Sequence, residues 1–309
     1  MNNNKLINNE IFAHLITDWL GAKYFKTFKI QSHESETDFI IAQREKKFLL
    51  SVCPLWDERD DSIIEIEKNV NSAIKEHENS NIVWIPEKNK KFLKEHENEI
   101  IEKIGKGIKG LKYGEYREIR MPIEITLSKT EDSGSYVAIN GALSKIWTKI
   151  SSGVQGVFQL DGVNYGRLPS ELAEEKIIID RIQEASKTLN VGEASFVTID
   201  EYWPVNNVTS EKGNQKIIIP TPSKTTNLND GPLIRKKLRT ILDDVNNKNK
   251  INDIDGKILL LLNSKNKHED VVISSLKSIN PTTFQSIALI LIVNAGMISI
   301  VKKSDAINF

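Results

Sequence analysis

Two apolar runs set close together constrain this chain most. Asp38 opens the run Phe39-Ile40-Ile41-Ala42, a polar gap follows, and Phe48-Leu49-Leu50-Ser51-Val52-Cys53 resumes it before Pro54. Runs of this length, rich in branched and aromatic residues and bounded by polar residues, read as neighbouring β-strands. A proline has no N–H to give a sheet ladder, so Pro54 closes the second strand. The chain is thereby committed to a sheet within its first sixty residues, with one aspartate at the head of a strand.

The flanking sequence gives that sheet its helices. Residues 10–20 place Ile11, Phe12, Leu15, Ile16, Trp19 and Leu20 at helical spacing, with Gly21 as a stop. Residues 24–30 read as a strand. Residues 62–78 return to helical spacing through Ile63, Ile66, Val70 and Ile74, and residues 82–85 form a strand before Pro86. The expected order over residues 10–85 is helix, strand, strand, strand, helix, strand.

Farther along, a Lys/Glu-rich helix is expected over residues 88–108. A strand over 119–127 should form a hairpin with 136–139 across the turn at 130–135, and residues 144–166 read as Gly-interrupted strand. A helix follows Pro169, then strands at 196–199 and 216–219, and a basic helix over 233–245. The fully apolar runs 258–262 and 287–293 flank a helix over 271–278. Such runs alternating with helices indicate a sheet covered on both faces. The fold class is α/β (mixed α+β), with a three-layer core at residues 1–110 and a second mixed α/β domain at residues 111–309 that contains the basic helix.

Lys+Arg and Asp+Glu balance at 42 each, which argues against a protein that coats nucleic acid through bulk charge, though not against a local basic groove. One cysteine, Cys53, precludes an intrachain disulfide and fits a reducing compartment. The N-terminus lacks the apolar stretch of a signal peptide, and the most apolar run, 287–293, is far too short to cross a bilayer. The expectation is a cytoplasmic protein without a membrane association.

The order of residues 10–85 resembles the core of the restriction-endonuclease-like superfamily, the PD-(D/E)xK nucleases. The likeness covers about the first quarter of the chain and its motif is incomplete. In that family an acid on the first helix and an acid opening the second strand bind Mg²⁺, and an acid and a lysine on the third strand complete the site. Carried over, Glu10 matches the helix acid and Asp38 the strand acid. Ser51 falls at the next acid and Cys53 at the lysine. Mg²⁺ seeks hard oxygen ligands, which activate water and neutralise phosphate charge. Serine is a poor ligand for it, and cysteine suits softer metals. The resemblance therefore implies catalytic and metal-binding roles for Glu10 and Asp38 only in an active enzyme, a metal-dependent phosphodiesterase using Mg²⁺ or Mn²⁺. Displaced side chains, Asp57 and Glu58 after the strand or Lys46 and Lys47 before it, would then have to complete the site.

Each of these residues has a plainer reading. Asp38 suits a strand-initiating turn, Glu10 suits the first turn of a helix, and Cys53 suits a small buried apolar residue. A second feature points to nucleic acid. Arg235, Lys236, Lys237 and Arg239 concentrate positive charge on one helix, and Lys224 lies in the hydroxyl-rich loop before it. Such a surface can position a phosphate backbone; its plainer reading is a solvated outer face. Trp147, Tyr202 and Trp203 suit base stacking or core packing alike.

Three functions follow. The leading one is a nucleic-acid-binding or regulatory subunit of a bacterial defence or restriction system, built on a degenerate nuclease-like fold, with DNA or RNA and a protein partner in a multi-subunit complex. The alternatives are an active nuclease with displaced ligands, and a protein-interaction scaffold that does not touch nucleic acid.

Overall fold

A computed structural model describes residues 9–56, 59, 61–74, 79–86, 88, 90–163, 165–209, 216–221, 231–248, 253–263 and 269–304. The fold is mixed α/β, with eight α-helices and twelve strands among the described residues. The chain forms two compact units, one of residues 1–117 and 204–309, the other of residues 118–203.

In the first unit, helix α1 (Asn9–Tyr24) precedes β1 (Lys29–His33), β2 (Asp38–Gln43) and β3 (Lys46–Pro54). These three strands form an antiparallel meander. The helix runs past the expected stop at Gly21, and β1 begins five residues later than the alternation at 24–30 suggests. The sheet continues with β10 (Gly256–Asn263), β11 (Ile287–Asn294) and β12 (Met297–Lys303), in the order β1-β2-β3-β10-β11-β12. Strand β10 lies parallel to both β3 and β11, and β12 returns antiparallel. A division after residue 110 would therefore cut one sheet in two, because the end of the chain supplies half of its strands.

Alternate residues of the central strands serve two cores. Leu260 and Leu262 pack with Phe12, Ile16 and Leu20 of α1. Leu259 and Leu261 pack with Leu238 and Leu242 of α7 (Gly231–Asn247) and with Val272 and Leu276 of α8 (Glu269–Lys277). Both faces are covered, as the unbroken apolar runs require. This is the three-layer arrangement that the apolar runs foretell, completed from the far end of the chain.

A second set of strand pairings in the same unit involves β4 (Ser80–Val83). This strand pairs antiparallel with residues 205–208 of β8 (Ala194–Val208) and parallel with β9 (Ile217–Ile218). Helix α2 (Asp61–Ala73) belongs to this unit, and the expected helix over 88–108 divides into α3 (Lys90–Glu95) and α4 (Glu97–Ile108).

The second unit has β5 (Tyr116–Glu131), β6 (Ser135–Ile139), α5 (Trp147–Ser151), β7 (Gly156–Asp161), α6 (Leu172–Ser186) and the first part of β8. The expected β5–β6 hairpin is not formed. Strand β7 lies between them, antiparallel to β5 and parallel to β6. Short α5 and a preceding 3₁₀ turn take up the length needed for that parallel connection, in a stretch that reads as strand in the sequence. Trp203 and Tyr202 are buried here, whereas Trp147 is 44% exposed and meets Tyr136 edge to face.

Leu260 lies fully buried on the central strand. Leu260→Ala should cost about 3 kcal/mol of unfolding free energy, the ordinary cost of a core cavity, whereas Lys236→Ala on the exposed face of α7 should stay within about 0.5 kcal/mol. Urea titration followed by circular dichroism checks both.

Candidate functional site

Asp38 occupies the first position of β2 and stands directly across from Ser51 of β3. Cross-strand partners share a face of the sheet. Their neighbours Phe39 and Leu50 belong to the core under α1, so Asp38 and Ser51 face the other layer, the one containing α7. Cys53, two residues along β3, shares that face and packs against the α7–α8 core.

The Asp38 carboxylate is almost fully enclosed by donors. Ser51 Oγ donates to Oδ1 at 2.6 Å. Ser35 Oγ donates to Oδ2 at 2.6 Å and Thr37 Oγ1 to the same oxygen at 3.2 Å. The turn before β2 orients these hydroxyls, with the N–H groups of Glu34 and Ser35 donating to the Asp38 carbonyl. Lys248 completes the shell, its ammonium 2.8 Å from each carboxylate oxygen. Only 5% of Asp38 remains accessible.

Lys248 is held over Asp38 by the end of α7. Lys257, on β10, donates its own ammonium to the carbonyls of Val245 and Asn246 at 2.9 and 3.1 Å. A cation at a helix C-terminus satisfies carbonyls without intrahelical partners and meets the negative end of the dipole. The start of β10 is also tied to β3, since Lys47 N–H donates to the Asp255 carboxylate and Asp255 N–H returns to the Lys47 carbonyl.

The electrostatics follow from this packing. Burial alone would raise the Asp38 carboxyl, but the Lys248, Ser35 and Ser51 hydrogen bonds and the Lys248 charge outweigh it and hold it below the usual carboxylate range. For Cys53 burial dominates. Its thiol is pushed up to about 12, with Lys248 and Lys237 opposing the shift and Asp38 and Asp244 adding to it. A thiol so disposed stays protonated near neutrality and is a poor nucleophile. Lys257 is lowered from its ordinary value by burial first and by the Lys248 charge second.

Glu10 does not join this face. It lies in the first turn of α1, on the opposite layer, with its carboxylate 3.7 Å from His33 Nε2 and 4.0 Å from His14 Nε2. Among the described residues, no group of three or more His, Cys, Asp or Glu side chains is placed to hold a metal ion. A divalent cation at Asp38 would have to displace Lys248 and the hydroxyl hydrogens from the oxygens it needs. Ser51 and Cys53 supply no replacement charge. These residues do not fit Mg²⁺ or Mn²⁺.

The basic residues sit on α7 as the helical spacing demands. Ile234, Leu238, Ile241, Leu242 and Val245 turn inward; Lys236 and Arg239 are exposed, and Arg235 and Lys237 are half-buried. Lys224, Asp57 and Glu58 lie outside the described residues. Among the described residues, no helix is long and apolar enough to cross a membrane. Sequence reasoning missed Lys248 and Lys257, which lie some two hundred residues from Asp38 along the chain. It also passed over Ser35 and Thr37, whose hydroxyls just ahead of an aspartate were a legible sign of a side-chain-capped turn. Comparison with known proteins found no matching family model, no similar curated protein and no similar solved structure.

Lys248→Met should leave the Asp38 charge enclosed without its counter-ion. The expected loss is about 2 kcal/mol at pH 7, short of the cost at a fully buried pair because Lys248 is partly solvated. The pH dependence has a fixed sign. A carboxyl lower in the folded than in the unfolded chain stabilises fully above its unfolded value, about 3.9, and loses that contribution as pH falls through the folded value. The stability difference between wild type and Asp38→Asn should thus hold level above about pH 5 and shrink below about pH 4. Urea unfolding across this range measures it.

Proposed function

We propose that this chain is a nucleic-acid-binding or regulatory subunit of a bacterial defence or restriction system, built on a restriction-endonuclease-like core that has lost its metal chemistry. The carrying observation is the Lys248 ammonium astride both Asp38 oxygens, with Ser51 donating where the family places a second acid. The protein's own cation takes the position a metal would need, and the enclosed carboxylate has no open coordination site for water or phosphate.

Topology supports the nuclease-like reading of the core. The meander α1-β1-β2-β3 is followed in space by α7 and by β10, parallel to β3. This is again helix, strand, strand, strand, helix, strand. The last two members come from residues 231–263 instead of the α2 and β4 positions that the local sequence suggests.

Support for nucleic-acid contact comes from α7. Its inward face is fixed by apolar packing, which leaves Lys236 and Arg239 on the outer surface beside the partly covered Arg235 and Lys237. Such a face suits a phosphate backbone and carries no base-reading information. A non-catalytic protein of this type would work in the cytoplasm with a protein partner that supplies cleavage or signalling.

The test combines cleavage and binding. Labelled single- and double-stranded DNA and RNA are incubated with the protein in Mg²⁺ or Mn²⁺, alongside Asp38→Ala. The expected result is no metal-dependent cutting by either. Binding should weaken steeply with salt and fall about tenfold when Lys236 and Arg239 are both changed to alanine, since each lost phosphate contact removes released counterions. Cutting that depends on Asp38 would instead establish a working nuclease, and absence of binding to every probe would leave the scaffold function.

A further inference from the structure

The turn that ends α1 carries a residue that neither its backbone nor its packing calls for. Lys26 N–H donates to the Gly21 carbonyl at 3.2 Å, the bond that closes a helix over a left-handed residue. That residue is Phe25, at φ +54°. Glycine takes this conformation freely, whereas a Cβ there crowds the following carbonyl. The turn does have a glycine, Gly21, where a Cβ would come within 3.0 Å of the Lys26 carbonyl. At position 25, where glycine would serve the backbone best, the chain has a phenylalanine instead. Packing gives nothing in return. Phe25 is 92% exposed, more than any other large apolar residue among those described.

The chain around this ring is basic. Lys23 and Lys26 stand on either side of it in sequence, and both are exposed. The Lys23 ammonium lies 5.0 Å from the centre of the Trp19 ring. Lys303, exposed at the end of β12, lies 5.0 Å from the centre of the Tyr24 ring, next to Phe25. Among the described residues, no carboxylate pairs with any of these three lysines. Asp18, the acid nearest this end of α1, instead accepts from Tyr113 and Thr209. Cations at a helix C-terminus are ordinary, but an exposed phenylalanine in the left-handed region is not, and Lys303 does not belong to the helix.

We propose that Phe25 is a stacking platform for one base of a single-stranded nucleic acid, with Lys23, Lys26 and Lys303 holding the adjoining phosphates. Every base has a π-face that an aromatic ring can cover, and cations beside the ring follow the backbone. That face is free only where the strand is unstacked, so a duplex offers Phe25 nothing. A lipid surface fits less well. Trp19 and Tyr24 are half-buried, which leaves one ring to insert, and binding at a membrane surface scales with buried apolar area. The inference rests on the nucleic-acid reading above and adds a strand class and a second surface, since α1 packs on the opposite face of the sheet from α7.

The test uses the full chain and labelled oligothymidylate and oligouridylate of about twelve nucleotides, a duplex of the same length, and vesicles of phosphatidylcholine and phosphatidylserine. Phe25→Gly should weaken single-strand binding about tenfold and leave duplex binding and the salt slope unchanged. Phe25→Leu, apolar but without a planar ring, should lose as much, and Phe25→Trp should restore binding. Lys23→Ala with Lys26→Ala should flatten the slope of log affinity against log salt by about 1.4. The thermal midpoint of Phe25→Gly should equal or exceed that of wild type, because the backbone there suits glycine; a lower midpoint makes the ring structural and overturns the proposal. Single-strand binding indifferent to Phe25→Gly also overturns it, and the α7 surface then stands alone if Lys236→Ala with Arg239→Ala removes that binding. Binding that follows Phe25 and ignores the α7 pair upholds this surface and rejects the other. No binding to either single strand overturns the proposal, as does binding to vesicles alone.

Discussion

The parallel pairing of β3 with β10 is the contact on which the rest of the first unit depends. It joins residues 48–54 to residues 256–262 without a register shift, so the sheet closes only when the two ends of the chain have met. Closing so long a loop is entropically costly, and the return comes from burying alternate faces of β3, β10 and β11 beneath α1 on one side and α7 and α8 on the other. The hydrogen bonds between Lys47 and Asp255 at the head of the ladder fix where the two strands begin.

That same closure makes the Asp38 site. Asp38 and Ser51 are neighbours through a local hairpin, but Lys248 arrives only because α7 leads into β10, and β10 lies beside β3. Lys257 on β10 then holds the last carbonyls of α7. Two ammonium groups consequently stand near each other, and the Lys248 charge lowers Lys257 while it lowers Asp38. One cation is used to end a helix and the other to neutralise an acid. The pair is a product of tertiary structure, and neither half of it is a local motif.

What the sequence made legible divides along this line. The runs at 38–42, 48–53, 258–262 and 287–293 were recognisable as buried strands, and 233–245 as an amphipathic basic helix, because burial leaves its period in the sequence. Partner choice leaves no such trace. An apolar β3 does not announce whether β4 or β10 lies beside it, and the turn at 130–135 looks like a hairpin although β7 separates the two strands it joins. Strand β12 went unread because it is a half-exposed edge after a tight turn through Ala295 and Gly296, both at positive φ. At the site, Asp38 and Ser51 were legible as facing positions on neighbouring strands. Glu10 was grouped with them by element order alone, and the sheet puts α1 on its other face.

A buried ion pair is a weak source of net stability, because desolvation offsets most of the attraction. What the Asp38–Lys248 pair provides is position. A leucine and a methionine packed together there would cover the same area and accept many rotations of α7. A carboxylate held by three hydroxyls accepts an ammonium only from one direction, so Lys248 sets the end of α7 relative to β2. The apolar stripe of α7 sets the rotation of that helix about its own axis, and with it the outward direction of Lys236 and Arg239. An enclosed aspartate thus acts, in this chain, on the orientation of a basic helix.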